Sequence, residues 1–484
     1  MTELAALVPL LAAAGAALVC LGRTPRDTDR LNVVAACVTA AAALALAVTA
    51  LAHGAAPAVD GRWLRVDGAS GVFVAVIAVV GLCSALVSPG YLRTSARSWF
   101  TATRSRRAYY AALHLFWAAL LLVPLIGNLA VAWLVVEATT AVSALLVAFT
   151  GRRDALEAGW KYLVLTTLGL SLALLGIIVV AAGQAGLGHT GLHALDWRAL
   201  ERANALPHDA TLVAFLLIVA GLATKIGWAP VHNWLPDAHS EAPAPISALL
   251  SAALLPTVVL VAWRAKSALQ ASVGAGTAGA VFIGFGLASM IVAIPFLWRQ
   301  APWKRLLAYS SLEHMGVIAL GIGFGTPLAI AGVLIHVAGH ALAKALGFYA
   351  ALPLLRADPE AATHAPAGVA NAATATAMSV SLIALAGLPP SPLFVSELLI
   401  ALGGVAAGET AVVAVAVVAL ALGFLGLLHA LIEGVIGDPV KRLHAARRSE
   451  RQIAALTVAL GAGLLALTAA ATLVPGSALV DGLL

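Results

Sequence analysis

Along this chain apolar residues do not alternate with polar ones. They run on for about 20 residues at a time, and polar residues gather between the runs. Each run is long enough to cross a ~30 Å hydrocarbon core as a helix. The pattern predicts fourteen spans, near residues 4–22, 32–53, 70–90, 108–127, 128–149, 157–182, 211–231, 243–264, 272–298, 303–324, 326–351, 367–388, 410–433 and 452–474. The longest loop, 183–210, is too short for a soluble domain. Alternating strands of barrel length are missing, which argues against a membrane β-barrel. The first run has no basic stretch before it and reads as a span rather than a signal peptide. The expected fold class is therefore an all-α polytopic membrane protein.

Two spans carry helix breakers. One reads ATKIGWAPVHNWLPDAH, with Lys225 followed by Gly227, Pro230 and Pro236. The other reads LAGLPPSPLFVSELL, with Pro389, Pro390 and Pro392 before Glu397. Backbone groups freed at such breaks are tolerable at membrane depth only beside protein or water. Interrupted helices at matching places in two halves point to inverted repeats and an ion site. Residues 108–264 and 272–433 each hold five spans, with the break in the fourth. The expected organisation is a three-helix segment (1–107), a first inverted repeat (108–264), a second inverted repeat (265–436), and a loop with the last helix (437–484).

Composition agrees, with 62% hydrophobic and 10% charged residues against about a quarter charged in soluble domains. The net charge of +6 could suggest nucleic acid, but its distribution does not. One set of alternate loops carries 19 Lys and Arg, among them Arg23, Arg93, Arg97, Arg106, Arg299, Arg356, Lys441 and Arg442. The opposite set carries 6: Arg62, Arg65, Arg198, Arg202, Arg264 and Lys266. Positive loops stay in the cytoplasm, so the first set is predicted there, and with fourteen spans both termini lie outside. The basic charge is thus a topology signal, and nucleic-acid binding drops out. Cys20, Cys37 and Cys83 sit in separate apolar segments without metal or redox spacing and read as apolar fillers.

The remaining charges fall where a membrane protein can least tolerate them. Lys161, Lys225, Lys344, Glu137, Glu313, Glu397 and Glu433, with His314, His336, His340 and His429, lie in or at the edge of apolar spans. An acid or lysine at helix centre costs ~2.5–3.5 kcal/mol to insert, or roughly 20 kcal/mol for seven left unpaired. A purely structural bundle has no need of them. Glu137 reads either as a satisfied carboxylate or as the partner of Lys225 across the fifth and seventh spans; a balanced pair of that kind can be tipped by a proton. His336, His340 and Lys344 recur every four residues on one helix face and read as a proton file, since histidine titrates near neutrality and passes protons between two nitrogens. No metalloprotease or carboxylate facial motif accompanies them, so no metal is expected. Glu313 and His314, adjacent on one helix, point about 100° apart, so one can face the file and the other a neighbouring helix. Lys161 reads as snorkelling or as an accessory to Glu137. His429 and Glu433 read equally as accessory groups or interface residues. Asp237, His239 and Glu241 follow the first break and read as helix caps or as a cytoplasmic mouth.

These residues carry a resemblance. KIGWAPVHNWLPDAHSEAPAPISALLSAALL, WKRLLAYSSLEHMGVIALGIGFG, HVAGHALAKALGFYAAL and LPPSPLFVSELLI resemble the antiporter-like subunits of respiratory complex I, membrane-bound hydrogenases and cation/proton antiporters, and most of all component F of hydrogenase-4-type complexes. The likeness spans roughly residues 70–440. It implies a fourteen-helix subunit with two inverted five-helix repeats, beside a NiFe or iron–sulfur arm and other membrane subunits in other chains. It implies an essential glutamate at Glu137 and lysine at Lys225, a modulating lysine at Lys161 and an exit-side group at Glu397. Many members place a lysine or histidine midway along the eighth span. Here ISALLSAALLPTVV offers only Ser251 and Pro256, leaving a gap in the file. The chain ends soon after its fourteenth span, without the long lateral helix of one complex I subfamily.

With no cysteine framework, dinucleotide fingerprint or haem motif, no cofactor is expected, and the chain reads as a non-catalytic membrane subunit of an oxidoreductase complex. The leading expectation is redox-driven proton translocation. The alternatives are a D-like subunit of a multi-subunit sodium/proton antiporter and a structural anchor whose buried charges only join subunits.

Overall fold

The computed structural model describes residues 1–53, 59–61, 63–94, 103–202, 206–299, 301–352, 372–436 and 447–473. Arg62, Arg97, Arg356, Lys441 and Arg442, counted above for topology, lie outside the described residues, as does residue 437, where the last predicted segment begins. The helices before the first break are α1 (Thr2–Val19), α2 (Pro25–Ala52), α3 (Gly68–Thr94), α4 (Thr103–Leu122), α5 (Leu129–Val147), α6 (Arg153–Gly186), α7 (Trp197–Arg202) and α8 (His208–Ile226). Beyond it come α9 (Leu235–Glu241), α10 (Ala244–Leu249), α11 (Leu255–Val273), α12 (Ala275–Leu297), α13 (Trp303–Phe324), α14 (Pro327–Ala350), α15 (Ala372–Leu385), α16 (Pro392–Ala406), α17 (Thr410–Leu431) and α18 (Arg447–Leu473). Thirteen described helical stretches are long and apolar enough to cross a membrane, with α10 and α11 forming one of them, Ala244–Val273. The shorter α15 and α16 flank the second break. The chain is a polytopic α-helical membrane protein; its named extended segments, Val59–Asp60 and Arg65–Val66, pair antiparallel over two residues each.

Local chemistry sets the helix ends. α2 starts at Pro25, ahead of the predicted 32, because Thr24 and Asp27 form a reciprocal capping box around a first-turn proline. The charges of that first turn made the segment read as loop. Asn128 starts α5 by accepting from the backbone N–H groups of Ala130 and Val131, while its own amide donates to Asp196 and tethers the loop opposite.

Both breaks are built alike. α8 ends at Gly227, left-handed at φ 78°, and α15 at Gly387, left-handed at φ 65°. The carbonyls that each end would leave bare are met by protein. Trp234 Nε1 donates to the Thr224 carbonyl at 2.6 Å, and Ser391 Oγ donates to the Ala384 carbonyl at 3.0 Å. Ser391 also caps the next helix through the Leu393 N–H at 3.1 Å, with Pro392 in its first turn.

The centre of the bundle is α10–α11, α13 and α14, which are buried almost all round, whereas α6, α12, α17 and α18 keep one face free. Small residues let helices meet: a Cβ on Gly169 of α6 would stand 1.8 Å from Thr224 Oγ1 of α8, so this crossing needs glycine. That close crossing carries the end of α8, and Lys225 with it, into the space beside α5 and α6.

Charge gathers at the two ends. At one, Asp29 pairs with Arg93 and Arg106, and Asp237 with Lys161 and Arg305. At the other, Arg65 pairs with Asp67 and Glu201, and Arg264 with Asp67. Except for Lys161, each basic residue in these pairs belongs with its neighbours to a single one of the two loop sets.

Candidate functional site

Five of the predicted groups or their neighbours are sealed from solvent: Lys225, His239, His336, His340 and Lys344 are each 0% exposed. Glu313 and His314 are also buried, whereas Glu137 and Glu397 are half-buried.

In the first half, Lys225 occupies the last turn of α8. Its Nζ donates to Thr140 Oγ1 at 2.7 Å and to the Tyr162 hydroxyl. The ammonium stands 4.5 Å from the Tyr162 ring centroid. Tyr162 in turn shares a 2.7 Å hydrogen bond with Ser143. Glu137 lies on α5 one turn before Thr140. Its Oε1 accepts from Thr167 Oγ1 of α6 at 2.9 Å, and Oε2 has no hydrogen-bond partner. The expected Glu137–Lys225 pair is therefore not a direct ion pair among the described contacts. Thr140 and Tyr162 stand between, because Lys225 is satisfied by hydroxyls that the sequence reading passed over.

Lys161 lies near the start of α6, where its Nζ holds Asp237 Oδ2 at 2.6 Å, and Arg305 holds the other oxygen of Asp237 at 3.3 Å. Glu241 faces Arg152 at 3.9 Å. Asp237 and Glu241 are therefore knitted into an ionic rim at the end of the bundle. His239 is not with them. The short α9 turns it inward, where its ring stacks on Phe348 of α14 at 5.5 Å and neighbours Trp234 at 6.5 Å. Neither ring nitrogen makes a hydrogen bond of good geometry. The mouth reading fails for His239 on burial alone. Two residues from Asp237 on a helix, its side chain points to the opposite face, and that face packs on α14. Lys304 Nζ holds the end of α9 through the carbonyls of Ser240 at 2.6 Å and Ala242 at 2.5 Å, as a cation suits a helix C-terminus.

The gap at the eighth span is filled by hydroxyls. Leu250–Leu254 is a π-turn between α10 and α11, a form that often marks functional positions. Ser251 within it meets Ser311 of α13 at 2.7 Å. Ser311 donates to the Leu307 carbonyl at 2.8 Å, and Lys344 Nζ donates to that same carbonyl at 2.6 Å. Pro256 lies beyond the π-turn, in the first turn of α11. A serine pair thus joins α10–α11 to Lys344 at the position where the resemblance implied a titratable side chain.

In the second half the α14 file meets α13 and α16. His314 Nδ1 and His336 Nε2 lie 3.0 Å apart, and His336 Nδ1 is 2.9 Å from Ser396 Oγ of α16. His340 completes the group, its ring 5.3 Å from that of His314. Glu313, one residue from His314, turns the other way: a Cβ on Gly423 of α17 would lie 1.8 Å from Glu313 Oε1. Glu397 sits beside the break, with Oε2 2.5 Å from where a Cβ on Gly387 would stand, and opens toward an apolar groove lined by Val317, Leu320, Val413 and Leu420. Gly387 is thus required twice, for its left-handed backbone and for the carboxylate's space. His429 and Glu433 pair with each other at 3.4 Å, half-exposed at the end of α17 and apart from the file.

Thr140, Ser143, Tyr162, Thr167, Ser311 and Ser396 escaped the sequence reading. Their one signal is a hydroxyl inside an apolar span, which is common where it merely bonds the preceding turn.

Fold and site define an antiporter-like polytopic membrane protein, with titratable and hydroxyl groups buried in both halves of the bundle. Residues 127–423 match the family described as NADH:quinone oxidoreductase/Mrp antiporter, TM, and the chain belongs to that family. It is 32% identical over 343 residues to a hydrogenase-4 component F homolog of Methylacidiphilum infernorum, covering 70% of this chain and 72% of that protein. It is 29% identical over 414 residues to NADH-quinone oxidoreductase subunit N of Desulforudis audaxviator, covering 83% and 80%. Among solved structures, a chain of the membrane-bound sulfane sulfur reductase, an archaeal respiratory membrane complex, superposes with a TM-score of 0.81 at 22% identity, over 100% of this chain and 99% of that one. A chain of the Mrp complex from Dietzia sp. DQ12-45-1b gives 0.81 at 20% identity, over 100% and 97%. These structural neighbours are parts of multi-subunit membrane complexes.

Proposed function

We propose that this chain is a proton-translocating subunit of a hydrogenase-4-like or complex I-like redox-driven pump in the cytoplasmic membrane. The observation that carries the reading is the burial of lysines and histidines in both halves: Lys225 on α8, His239 on α9, and His336, His340 and Lys344 on α14. Charged groups in apolar helices are costly and mark ion pathways. In this reading Glu137 and Lys225 load the first half, with Thr140 and Tyr162 between them and Lys161 biasing the rim. His239 and the Ser251–Ser311 pair carry the connection between the halves. Lys344, His340, His336 and His314 pass the proton to Glu397, with Glu313 accessory. The rim of Asp237 and Glu241 faces the cytoplasm, on the side of the 19 basic loop residues.

The chain itself binds no redox cofactor in this account; energy arrives from a NiFe or iron–sulfur arm and neighbouring membrane subunits. The likeness to a chain of the Mrp complex supports a second reading, a D-like subunit of a sodium/proton antiporter. Gentle purification of the chain with its native partners separates the two. A redox arm among the co-purifying polypeptides is the expected result. A set of small antiporter subunits with no redox protein would overturn the first reading in favour of the second.

A further inference from the structure

The histidine pair of the second half has a property that proton transfer does not require. One ring nitrogen from His314, one from His336 and a carboxylate oxygen of Glu397 all lie within 4.8 Å of one another. The three come from α13, α14 and α16, so no spacing motif announces them. His314 Nδ1 and His336 Nε2 face each other at 3.0 Å, close to the separation of two nitrogens bound to one tetrahedral zinc ion at ~2.0–2.1 Å each. The His336 ring is also supported from behind. Ser396 Oγ donates to the Leu393 carbonyl at 2.8 Å, which leaves its lone pairs to accept from His336 Nδ1–H and turns the unprotonated Nε2 inward. The backbone of Leu385 lies beside His314, whose Nε2 makes no hydrogen bond of good geometry. A hydrogen-bond partner behind a ligating imidazole is how metal sites fix ring orientation, and here His336 has one.

We infer that His314, His336 and Glu397 form a binding site for a divalent ion of the zinc class, oriented by Ser396. Two imidazoles and one carboxylate suit zinc, cobalt or nickel; hard ions such as sodium, calcium or magnesium prefer all-oxygen sites. Binding replaces the hydrogen bond between the two rings: the His314 hydrogen moves from Nδ1 to Nε2, any proton on Glu397 is released to solvent, and the metal takes the two inward lone pairs and the carboxylate. The site stands on geometry alone. Its consequence, that an occupied site removes the His314–His336 hydrogen bond and halts proton flow, rests on the reading proposed above.

The test uses the intact complex, stripped with chelator and titrated with zinc chloride alone. Zinc bound per complex is compared in the native protein and in His336→Gln, Glu397→Gln and Ser396→Ala. The expected result is one saturable zinc whose affinity falls at least tenfold in each ligand variant and about ten- to hundredfold in Ser396→Ala. Equal zinc content and affinity in all four would overturn the site. Should a ligand variant not assemble, X-ray absorption of zinc in the native complex decides, because that zinc must show imidazole nitrogens at ~2.0–2.1 Å. A first shell without histidine overturns the proposal. Bound zinc that leaves redox-driven acidification intact would retain the site and count against the relay.

Discussion

Lys225 and Glu137 do not touch: the lysine is held by Thr140, one turn along α5 from the glutamate, while Glu137 is held by Thr167. A direct ion pair would be hard to break at this depth. Two charges parted by hydroxyls can be coupled or uncoupled by small movements of neutral groups, which suits a gate that must load and unload a proton.

Tyr162 is the group through which that coupling is expected to run, since its hydroxyl meets both Lys225 and Ser143. Tyr162→Phe removes one hydrogen bond to a charged group, worth about 1.5–3 kcal/mol, or roughly ten- to hundredfold in rate. Redox-driven acidification of vesicles should fall by that order while the complex assembles normally. Native flux in Tyr162→Phe would remove the tyrosine from the path.

The serine bridge makes a second prediction. Ser251→Ala breaks the link to Ser311, and proton flux should drop, whereas Ser251→Thr keeps a hydroxyl and should restore much of it. Equal flux in the alanine and threonine variants would show that the halves are connected elsewhere.

Much of the fold was legible in the sequence because a bilayer imposes length and polarity on every span. The breaks at Gly227 and Gly387 could be read from their flanking prolines, and the α14 face from its four-residue period. The site was legible as a roster and less so as an arrangement. His239 was placed at the rim because Asp237 and Glu241 flank it in sequence, yet on this seven-residue helix those two, four apart, share a face and His239 points away from it. The Ser251 gap looked like a missing group because the partner, Ser311, lies on another helix. Pairings across helices depend on rotation and crossing, which no local pattern encodes.

A third prediction concerns the end of the bundle opposite the ionic rim. Burial alone would raise the pKa of Asp67, but Arg264 and the hydrogen bonds from Ser70 outweigh it and hold the carboxyl below its ordinary value. A depressed carboxyl contributes stability that is complete above its unfolded-state value, near pH ~4, and lost as pH falls through the folded-state value. Arg264→Met leaves that carboxylate without its main partner and should cost about 3–5 kcal/mol. A thermal unfolding series in detergent should show the variant less stable at neutral pH, with the difference shrinking in acid. A constant difference across pH would contradict the pairing.

At the outlet, Glu397→Gln removes a half-buried carboxylate beside the second break. Proton release should be impaired while assembly is retained, as read by a pH-sensitive dye trapped inside the vesicles. Unaltered flux would take Glu397 out of the path.

The most direct test of the central claim is redox-driven acidification of sealed vesicles carrying the intact complex with Glu137→Gln or Lys225→Ala. The account predicts that acidification is lost in both while the complex remains assembled. Pumping at the native rate in both variants would contradict it.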